Sequence, residues 1–174
     1  MIKQCIAGLL LLLAGTVPAL AQETETFTSA RRVYNDNSEW KIATQGEDVY
    51  WHRDFPDGSQ WSLETGGSQY TCSRTFGDGA EWQLQAPTGS IKLKRLYSDG
   101  SDWEVTDELG TYKITRSYSD GSAWAVTGPN GRLDLRRLYT DGSQWSVHDN
   151  FDDASIHAKA LILFVVIGAR GNQK

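Results

Sequence analysis

Arginine and tryptophan recur in this sequence at a fixed distance from one another. Six arginines stand 21 residues apart, and each precedes by eight residues a tryptophan of the same spacing. The arginines are Arg32, Arg53, Arg74, Arg95, Arg116 and Arg137, and the tryptophans are Trp40, Trp61, Trp82, Trp103, Trp124 and Trp145. A guanidinium pairs with anions and stacks on aromatic rings. An open Arg–Trp face would therefore bind an anionic or sugar-like ligand.

The candidate binding residues come from these two columns, together with a tryptophan outside them. They are Arg53, Arg74, Arg95, Arg116, Arg137, Trp51, Trp61, Trp82, Trp103, Trp124 and Trp145. The structural alternative, which we favour, is a ladder in which each guanidinium stacks on an indole, worth roughly 0.5–2 kcal/mol per contact. A buried guanidinium also needs a hydrogen-bonding partner. The turn aspartates are candidates for that partner, besides capping their own turns: Asp57, Asp78, Asp99, Asp120 and Asp141.

The sequence pattern gives little support for a metal site or a catalytic site. His52, His148 and His157 lack metal-ligand spacing, and each Asp-Gly-Ser turn offers one fixed acid where calcium takes about six to eight oxygens. Trp51 and Trp61, near His52 and Arg53, form a candidate sugar platform, although a role for Trp51 as a second core tryptophan is favoured. No nucleophile–base or paired-carboxylate arrangement stands out from the repeat. We therefore expect no catalytic residues, no metal and no cofactor.

The spacing reflects six hairpin repeats of 21 residues, and repeats of this kind define the architecture of a chain. The text YSDGSDW of residues 97–103 recurs around the other tryptophans. An Asp-Gly pair between alternating apolar residues is a strong hairpin signal. A three-residue loop over 98–100, with Gly100 in the left-handed conformation, pairs Arg95 with Trp103 and separates apolar from polar side chains most cleanly. In the first repeat Asn37 takes the place of the turn glycine.

This register predicts one aromatic face, shared by tryptophan, arginine and the aromatic residue before the turn. Those turn aromatics are Phe55, Phe76, Tyr97, Tyr118 and Tyr139. Cys72 falls in the same apolar column, which indicates a small core residue rather than a nucleophile. The opposite face is polar, so the aromatic face has to be covered.

The fold class is therefore all-β: an antiparallel meander of about twelve strands in six 21-residue hairpin repeats. Two architectures satisfy it, a closed barrel and an open single-layer hairpin array. Closure would remove the unpaired strand edges, and the constant repeat length makes every hairpin alike.

The chain divides into three parts. Residues 1–21 have the basic start, apolar stretch and small residues of a cleaved signal peptide, residues 22–153 form the repeat domain, and residues 154–174 are an apolar closing segment packed on it. Leu161 to Ile167 are consecutive large apolar residues, too few to span a bilayer. We expect this segment to be buried, as a closing strand or as a short helix ending near Gly168. The mature chain would hold one cysteine, Cys72, and therefore no internal disulfide.

The Tyr-x-Asp-Gly-Ser-x-Trp text of residues 97–103 resembles the hairpin of MORN repeats and related short bacterial β-hairpin repeats. The resemblance covers residues 32–147 in rhythm. The glycine that usually follows the second aromatic is absent, since Glu104, Ala125 and Ser146 stand there, and the period differs. The resemblance implies single-layer antiparallel arrays that contact proteins or lipids, and no functional residue is carried over from it.

The leader and the repeat predict a periplasmic or secreted protein that is a non-catalytic binding module for a glycan or protein partner. The alternative is a structural or assembly protein whose hairpin array scaffolds or self-associates. A net charge of −5, which the loss of Lys3 with the leader makes one unit more negative, argues against nucleic acid as the partner. Exposed aromatic residues would favour the binding module, and exposed strand edges would favour assembly.

Overall fold

The structure is a computed structural model that describes residues 25–169. Within that range the chain forms twelve strands and one helix. The strands are β1 (Phe27–Arg32), β2 (Glu39–Thr44), β3 (Val49–Arg53), β4 (Gln60–Thr65), β5 (Ser68–Arg74), β6 (Glu81–Ala86), β7 (Gly89–Arg95), β8 (Asp102–Thr106), β9 (Thr111–Arg116), β10 (Ala123–Gly128), β11 (Gly131–Arg137) and β12 (Gln144–Asp149). The helix α1 spans Ile156–Phe164 and continues as a wider π-helical turn over Val165–Ala169. The predicted signal peptide, residues 1–21, lies outside the described residues.

The strands close into a barrel. Each strand pairs antiparallel with its neighbours in sequence, and β1 pairs with β12, where Ala30 lies opposite Trp145. The predicted all-β meander of hairpins is confirmed, and of the two architectures the closed barrel is the one observed. Closure gives each of the twelve described strands a partner on both sides, which an open array cannot do at its ends.

The predicted register within the hairpins is confirmed. Arg95 lies opposite Trp103, and the same pairing recurs between Arg116 and Trp124 and in the other hairpins. Directly opposed residues of an antiparallel pair share a face, so arginine and tryptophan point to the same side. Gly100 is left-handed with φ 66°, and Asn37, which replaces glycine in the first repeat, has φ 64°.

The prediction for the aromatic residues before the turns was wrong. Phe55, Phe76, Tyr97, Tyr118 and Tyr139 were expected beside the tryptophans, yet all of them are exposed. The ladder ends two residues earlier than predicted, at the arginine, so the connecting loop has six residues rather than three. Tyr97 accepts a hydrogen bond from the Gly100 N–H through its carbonyl and so begins a β-turn (3.0 Å). Because Tyr97 lies in the loop, the alternation of side chains along a strand does not determine which way its ring points.

The helix α1 fills the barrel. Side chains alone fill a barrel of about eight strands, and a twelve-stranded barrel has room for more. Every residue from His157 to Phe164 is buried, as expected for a helix that is apolar all round. Phe164 contacts the rings of Trp51, Trp61 and Trp82, with centroid distances of 4.7, 5.4 and 4.9 Å. Of the two conformations left open for this segment, the helix is therefore the one adopted.

The helix runs lengthwise through the interior. Ser155 caps its first turn by accepting a hydrogen bond from the Ala158 N–H (3.1 Å), close to the Asp107 loop between β8 and β9. At the other end, Val166 and Ile167 line a cavity together with Arg137 at the end of β11 and Thr140 in the loop that follows. The two ends of α1 thus lie at opposite ends of the barrel.

A fully buried ion pair joins the helix to the strands that close the barrel. The Lys159 ammonium lies 2.9 Å from Oδ2 of Asp149, and neither side chain is exposed. Lys159 also donates to the carbonyl oxygen of Glu25 (3.0 Å), and Asp149 accepts from the backbone N–H groups of Phe27 and Phe151. One cluster therefore fixes the start of β1, the end of β12 and α1 together.

Lys159→Met is expected to destabilise the protein by about 3–5 kcal/mol, because the Asp149 carboxylate would stay buried without its counter-charge. Urea denaturation followed by tryptophan fluorescence measures the loss. The double variant Lys159→Met with Asp149→Asn serves as the control, since asparagine keeps an acceptor oxygen for the backbone donors but carries no charge. A double variant as unstable as the single one would contradict the role given to the ion pair.

Gly121→Val is expected to cost about 1–3 kcal/mol, because a β-branched residue is strained at positive φ and Gly121 has φ 68°. Gly121→Asn is the matched control, since asparagine tolerates this conformation and occupies it at position 37. Thermal unfolding should show a clear decrease for valine and a smaller one for asparagine. Equal melting points for wild type and the valine variant would exclude a conformational requirement for glycine.

Candidate functional site: the aromatic rim

Six loops of equal length meet at one end of the barrel. They join each odd-numbered strand to the next even-numbered one and comprise residues 33–38, 54–59, 75–80, 96–101, 117–122 and 138–143. We call this end the rim. In each loop the second residue is aromatic, the fourth is aspartate and the fifth is glycine or Asn37.

The aromatic side chains of the rim are exposed to solvent. They are Tyr34, Phe55, Phe76, Tyr97, Tyr118 and Tyr139, and between 50% and 64% of each is exposed. The neighbouring Leu96 and Leu138 are exposed as well. Because the loops are related by the repeat, these side chains are distributed around one end of the barrel instead of being scattered over its wall. Clustered exposed apolar side chains mark interaction sites more often than isolated ones do.

The aspartate at the fourth position of each rim loop has two partners. Oδ1 of Asp99 accepts a hydrogen bond from the Ser101 N–H in its own turn (3.0 Å), and Oδ2 accepts one from Nη2 of Arg116 in the next repeat (3.1 Å). The predicted cap of the turn and the predicted partner of the arginine are thus one carboxylate. The same ion pair joins every repeat to the next at 3.0–3.6 Å: Arg53–Asp36, Arg74–Asp57, Arg95–Asp78, Arg116–Asp99, Arg137–Asp120 and, across the closure of the barrel, Arg32–Asp141.

The two members of these pairs differ in exposure. The arginine side chains are 14–24% exposed, whereas the aspartate side chains are 55–63% exposed. The carboxylates therefore lie outermost and the guanidinium groups lie beneath them. A partner that approaches the rim meets aromatic rings and carboxylates first.

The tryptophan column packs inside the rim and holds its turns. All seven tryptophans are buried. The indole N–H of Trp103 donates to the carbonyl oxygen of Gly100, three residues earlier (3.2 Å), and the same bond is formed by Trp61, Trp82, Trp124 and Trp145. Each of these residues fills the core and satisfies the carbonyl group of its turn glycine. The predicted stacking of guanidinium on indole is not seen in residues 25–169, where the cation–π contact found is Lys41 over Tyr50.

The predicted site residues therefore occupy two layers. Arg53, Arg74, Arg95, Arg116 and Arg137 lie at the base of the rim in ion pairs, and Trp61, Trp82, Trp103, Trp124 and Trp145 lie in the core. Trp51 is also a core residue and donates its indole N–H to the carbonyl oxygen of Ala160 (3.2 Å). The burial of these indoles agrees with the core role favoured for them, although they bond to carbonyl groups and are not stacked on guanidinium groups. Trp145 also lines a cavity at the rim. The exposed rim aromatics were missed as candidates, although their position directly before the turn was a signal for them.

The rim has a cavity of about 300 Å³ where the first and last repeats meet. Asn37 and Thr140 line it from the loops, and Val166 and Ile167 from the end of the helix segment. Trp40 also lines it, and its buried indole N–H lacks an acceptor within the described part of the chain. Of the six repeats, the first is therefore the one in which the bond from the indole N–H to the turn carbonyl is not formed, and the cavity lies at this place.

Ionisable groups away from the rim are dispersed. His52 lies on the outer face between Glu39 and Glu64, 3.4 Å from each. His157 packs edge-on against Tyr70, and burial lowers its pKa. Burial raises the pKa of the Cys72 thiol, which is a core residue as predicted. Over residues 25–169 we find no cluster of His, Cys, Asp or Glu that could hold a metal ion.

Helix α1 and its continuation are too short for a membrane span, and no other helix is present between residues 25 and 169. Comparison of the chain with protein-family models, with curated proteins and with solved structures finds no match.

The rim aspartates are expected to make stability depend on pH. Hydrogen bonds from Ser101 and, to a lesser extent, the charge of Arg116 lower the pKa of Asp99, and Ser122 and Arg137 do the same for Asp120. A carboxyl group with a lowered folded-state pKa stabilises the fold above its unfolded value of about 3.9, and this contribution is lost as the pH falls through the folded-state value. The melting point should therefore fall in acid, mainly below about pH 4.

The double variant Asp99→Asn with Asp120→Asn tests this dependence. At pH 7 it should melt below the wild type, and the difference should narrow as the pH falls below about 4, because the wild type then loses the same charges. Glu108→Gln, at an exposed acid in a loop at the other end of the barrel, is the control. It should change neither the melting point at pH 7 nor its dependence on pH. A difference that stays constant with pH would show that these carboxylates stabilise the rim through shape alone.

Proposed function

We propose that this protein is a non-catalytic binding module that contacts a glycan or a protein partner through its aromatic rim. The observation that carries the proposal is the set of six exposed aromatic side chains at one end of a barrel whose seven tryptophans are all buried. Leaving six large rings in water has no benefit for folding, since burial of such side chains is favourable. A partner that covers them would recover that free energy.

The composition of the rim loops supports recognition. They are rich in Tyr, Ser, Gly and Asp, and Tyr, Ser and Gly are enriched in antibody binding loops, where tyrosine supplies rigid contact area and the small residues supply adaptable hydrogen bonds. The scaffold supports it as well, because loops held on a rigid barrel are common sites of binding. The indole–carbonyl bonds and the Arg–Asp pairs hold the rim loops in place.

A structural protein that assembles through strand edges is less well supported. Each of the twelve described strands is paired on both sides, so the barrel offers no free strand along its wall to a neighbouring copy. Self-association through the rim would remain a form of binding through the same surface.

A non-catalytic role is favoured by the arrangement of the reactive side chains. The Lys159 ammonium is held by Asp149 and two carbonyl groups, and the Cys72 thiol is sealed in the core. His52 and His157 lie on opposite sides of the barrel wall. None of these groups is joined to another in a nucleophile–base arrangement. We also propose that the module acts in the periplasm or outside the cell, which follows from the leader-like residues 1–21 alone.

The test of the proposed function is binding by rim variants of the full chain. The variant Tyr97→Ser with Tyr118→Ser removes two exposed rings, and we expect it to weaken binding at least fivefold, since exposed ring contacts are worth about 0.5–1 kcal/mol each. Leu109→Ser, at an exposed apolar residue of the opposite end, is the matched control and should bind like the wild type. The probes are fluorescent chitohexaose, a basic Arg-Gly octapeptide and an acidic Glu-Gly octapeptide, measured by anisotropy.

Rim-dependent binding to any one of these probes supports the proposed function. Binding that the two serine substitutions leave unchanged contradicts it, as does the absence of binding to all three. Analytical ultracentrifugation of the same variants detects self-association, and a dimer that dissociates in the serine variant but not in the leucine variant would favour the assembly alternative.

A further inference from the structure

The charges of the rim loops are all of one sign. The loops contain seven acidic residues and no lysine, arginine or histidine. The acids are Asp36, Asp54, Asp57, Asp78, Asp99, Asp120 and Asp141. Within residues 25–169, the six arginines at the ends of the odd-numbered strands adjoin these loops; they lie beneath the carboxylates and are far less exposed. The accessible surface that the rim loops themselves present is therefore acidic.

The carboxylates keep acceptor capacity for a partner. An ionised carboxylate has about four lone-pair sites. In Asp99, one site on Oδ1 is used by the Ser101 N–H and one on Oδ2 by Arg116. The remaining sites belong to a side chain that is 59% exposed. Each turn can thus accept a further hydrogen bond from outside without losing the bonds that hold it.

The exposed aromatic rings also favour a cationic partner. A ring presents a negative face, and a cation above it is attracted by about 0.5–1 kcal/mol at an exposed site. In every rim loop an exposed ring stands two residues before an exposed carboxylate, as Tyr118 stands before Asp120. A guanidinium or ammonium group between them would meet a ring face and a carboxylate at once. An anion would be repelled, and a neutral sugar would use the rings but not the charge.

We propose that the rim recognises a basic protein segment, with arginine or lysine side chains seated between the aromatic rings and the carboxylates. The proposal rests on the proposed function and selects the protein class of partner over the glycan class. Six equivalent ring–carboxylate positions around the rim allow several basic residues of one segment to bind together. Such binding gains from each added cation and weakens as salt screens the charges.

Binding of the Arg-Gly octapeptide to the full chain tests the proposal. We expect it to bind, and we expect the Glu-Gly octapeptide and chitohexaose not to bind at the same concentrations. Raising the salt concentration from 50 mM to 300 mM should lower the affinity for the basic peptide severalfold, because the screening length between exposed charges falls to about 6 Å at the higher concentration. Tyr97→Ser and Tyr118→Ser should each weaken it about two- to fivefold.

Removal of charge is tested at Asp54, a rim acid that is not part of the Arg–Asp pairs. Asp54→Asn should lower the affinity for the basic peptide. The asparagine keeps an acceptor oxygen for the Ser62 hydroxyl, which donates to the Asp54 carboxylate in the wild type. Glu108→Gln, at the opposite end of the barrel, removes the same charge as a control and should leave the affinity unchanged. Thermal melts of both variants verify that the fold is intact.

The outcomes separate this proposal from the broader one. Rim-dependent binding of chitohexaose or of the acidic peptide in place of the basic one would overturn the basic partner and leave a binding rim. Binding of the basic peptide that is insensitive to salt and to Asp54→Asn would overturn it as well. Failure of all three probes to bind in a rim-dependent way would remove the proposed function together with this inference.

Discussion

The fold depends on one junction that is repeated six times around the barrel. At each junction an arginine donates its backbone N–H to the last residue of the preceding rim loop, and its side chain pairs with the aspartate of that loop; Arg116 does this with Ser101 and Asp99. Arg32 makes both contacts with Ser143 and Asp141 of the last repeat. The first and last hairpins are therefore joined at the closure by the same contacts that join the other successive hairpins. A constant repeat of 21 residues is what allows the last unit to meet the first.

Closure at this width leaves an interior that strand side chains do not fill, and the helix follows from that constraint. The inward columns supply tryptophan near the rim and aliphatic residues below it, and α1 occupies the remaining volume with residues that are apolar on every side. The one cation of the helix, Lys159, is placed where Asp149 can neutralise it. Asp149 takes the position four residues after the tryptophan, which is variable among the repeats: Thr65 and Ala86 occupy it in two others and Asp107 in a third.

Much of this architecture could be predicted from the sequence, for reasons that are local. The register of Arg95 with Trp103 follows from alternation and from the need for a left-handed glycine, both of which are encoded within a few residues. The direction of Tyr97 was predicted wrongly because it lies just past the ladder, where alternation ends. The partner of each arginine lies in another repeat, and the pairing of Lys159 with Asp149 depends on the position of a helix that the period does not describe. Closure itself requires contact between residues more than 100 positions apart, which no local pattern reports.

The central position of α1 has a consequence for the order in which the barrel can form. The helix is encoded after all twelve strands, and the first strand pairs with the last, so neither the filling nor the closure of the barrel is available to a chain that is still being synthesised. Contacts of such large sequence separation are slow to form. Until β12 has been made, β1 has an unpaired edge, and until residues near 169 have been made, the tryptophans lack the helix that covers them. The growing chain is therefore a set of aggregation-prone hairpins, and protection by a holding chaperone would matter most for this intermediate.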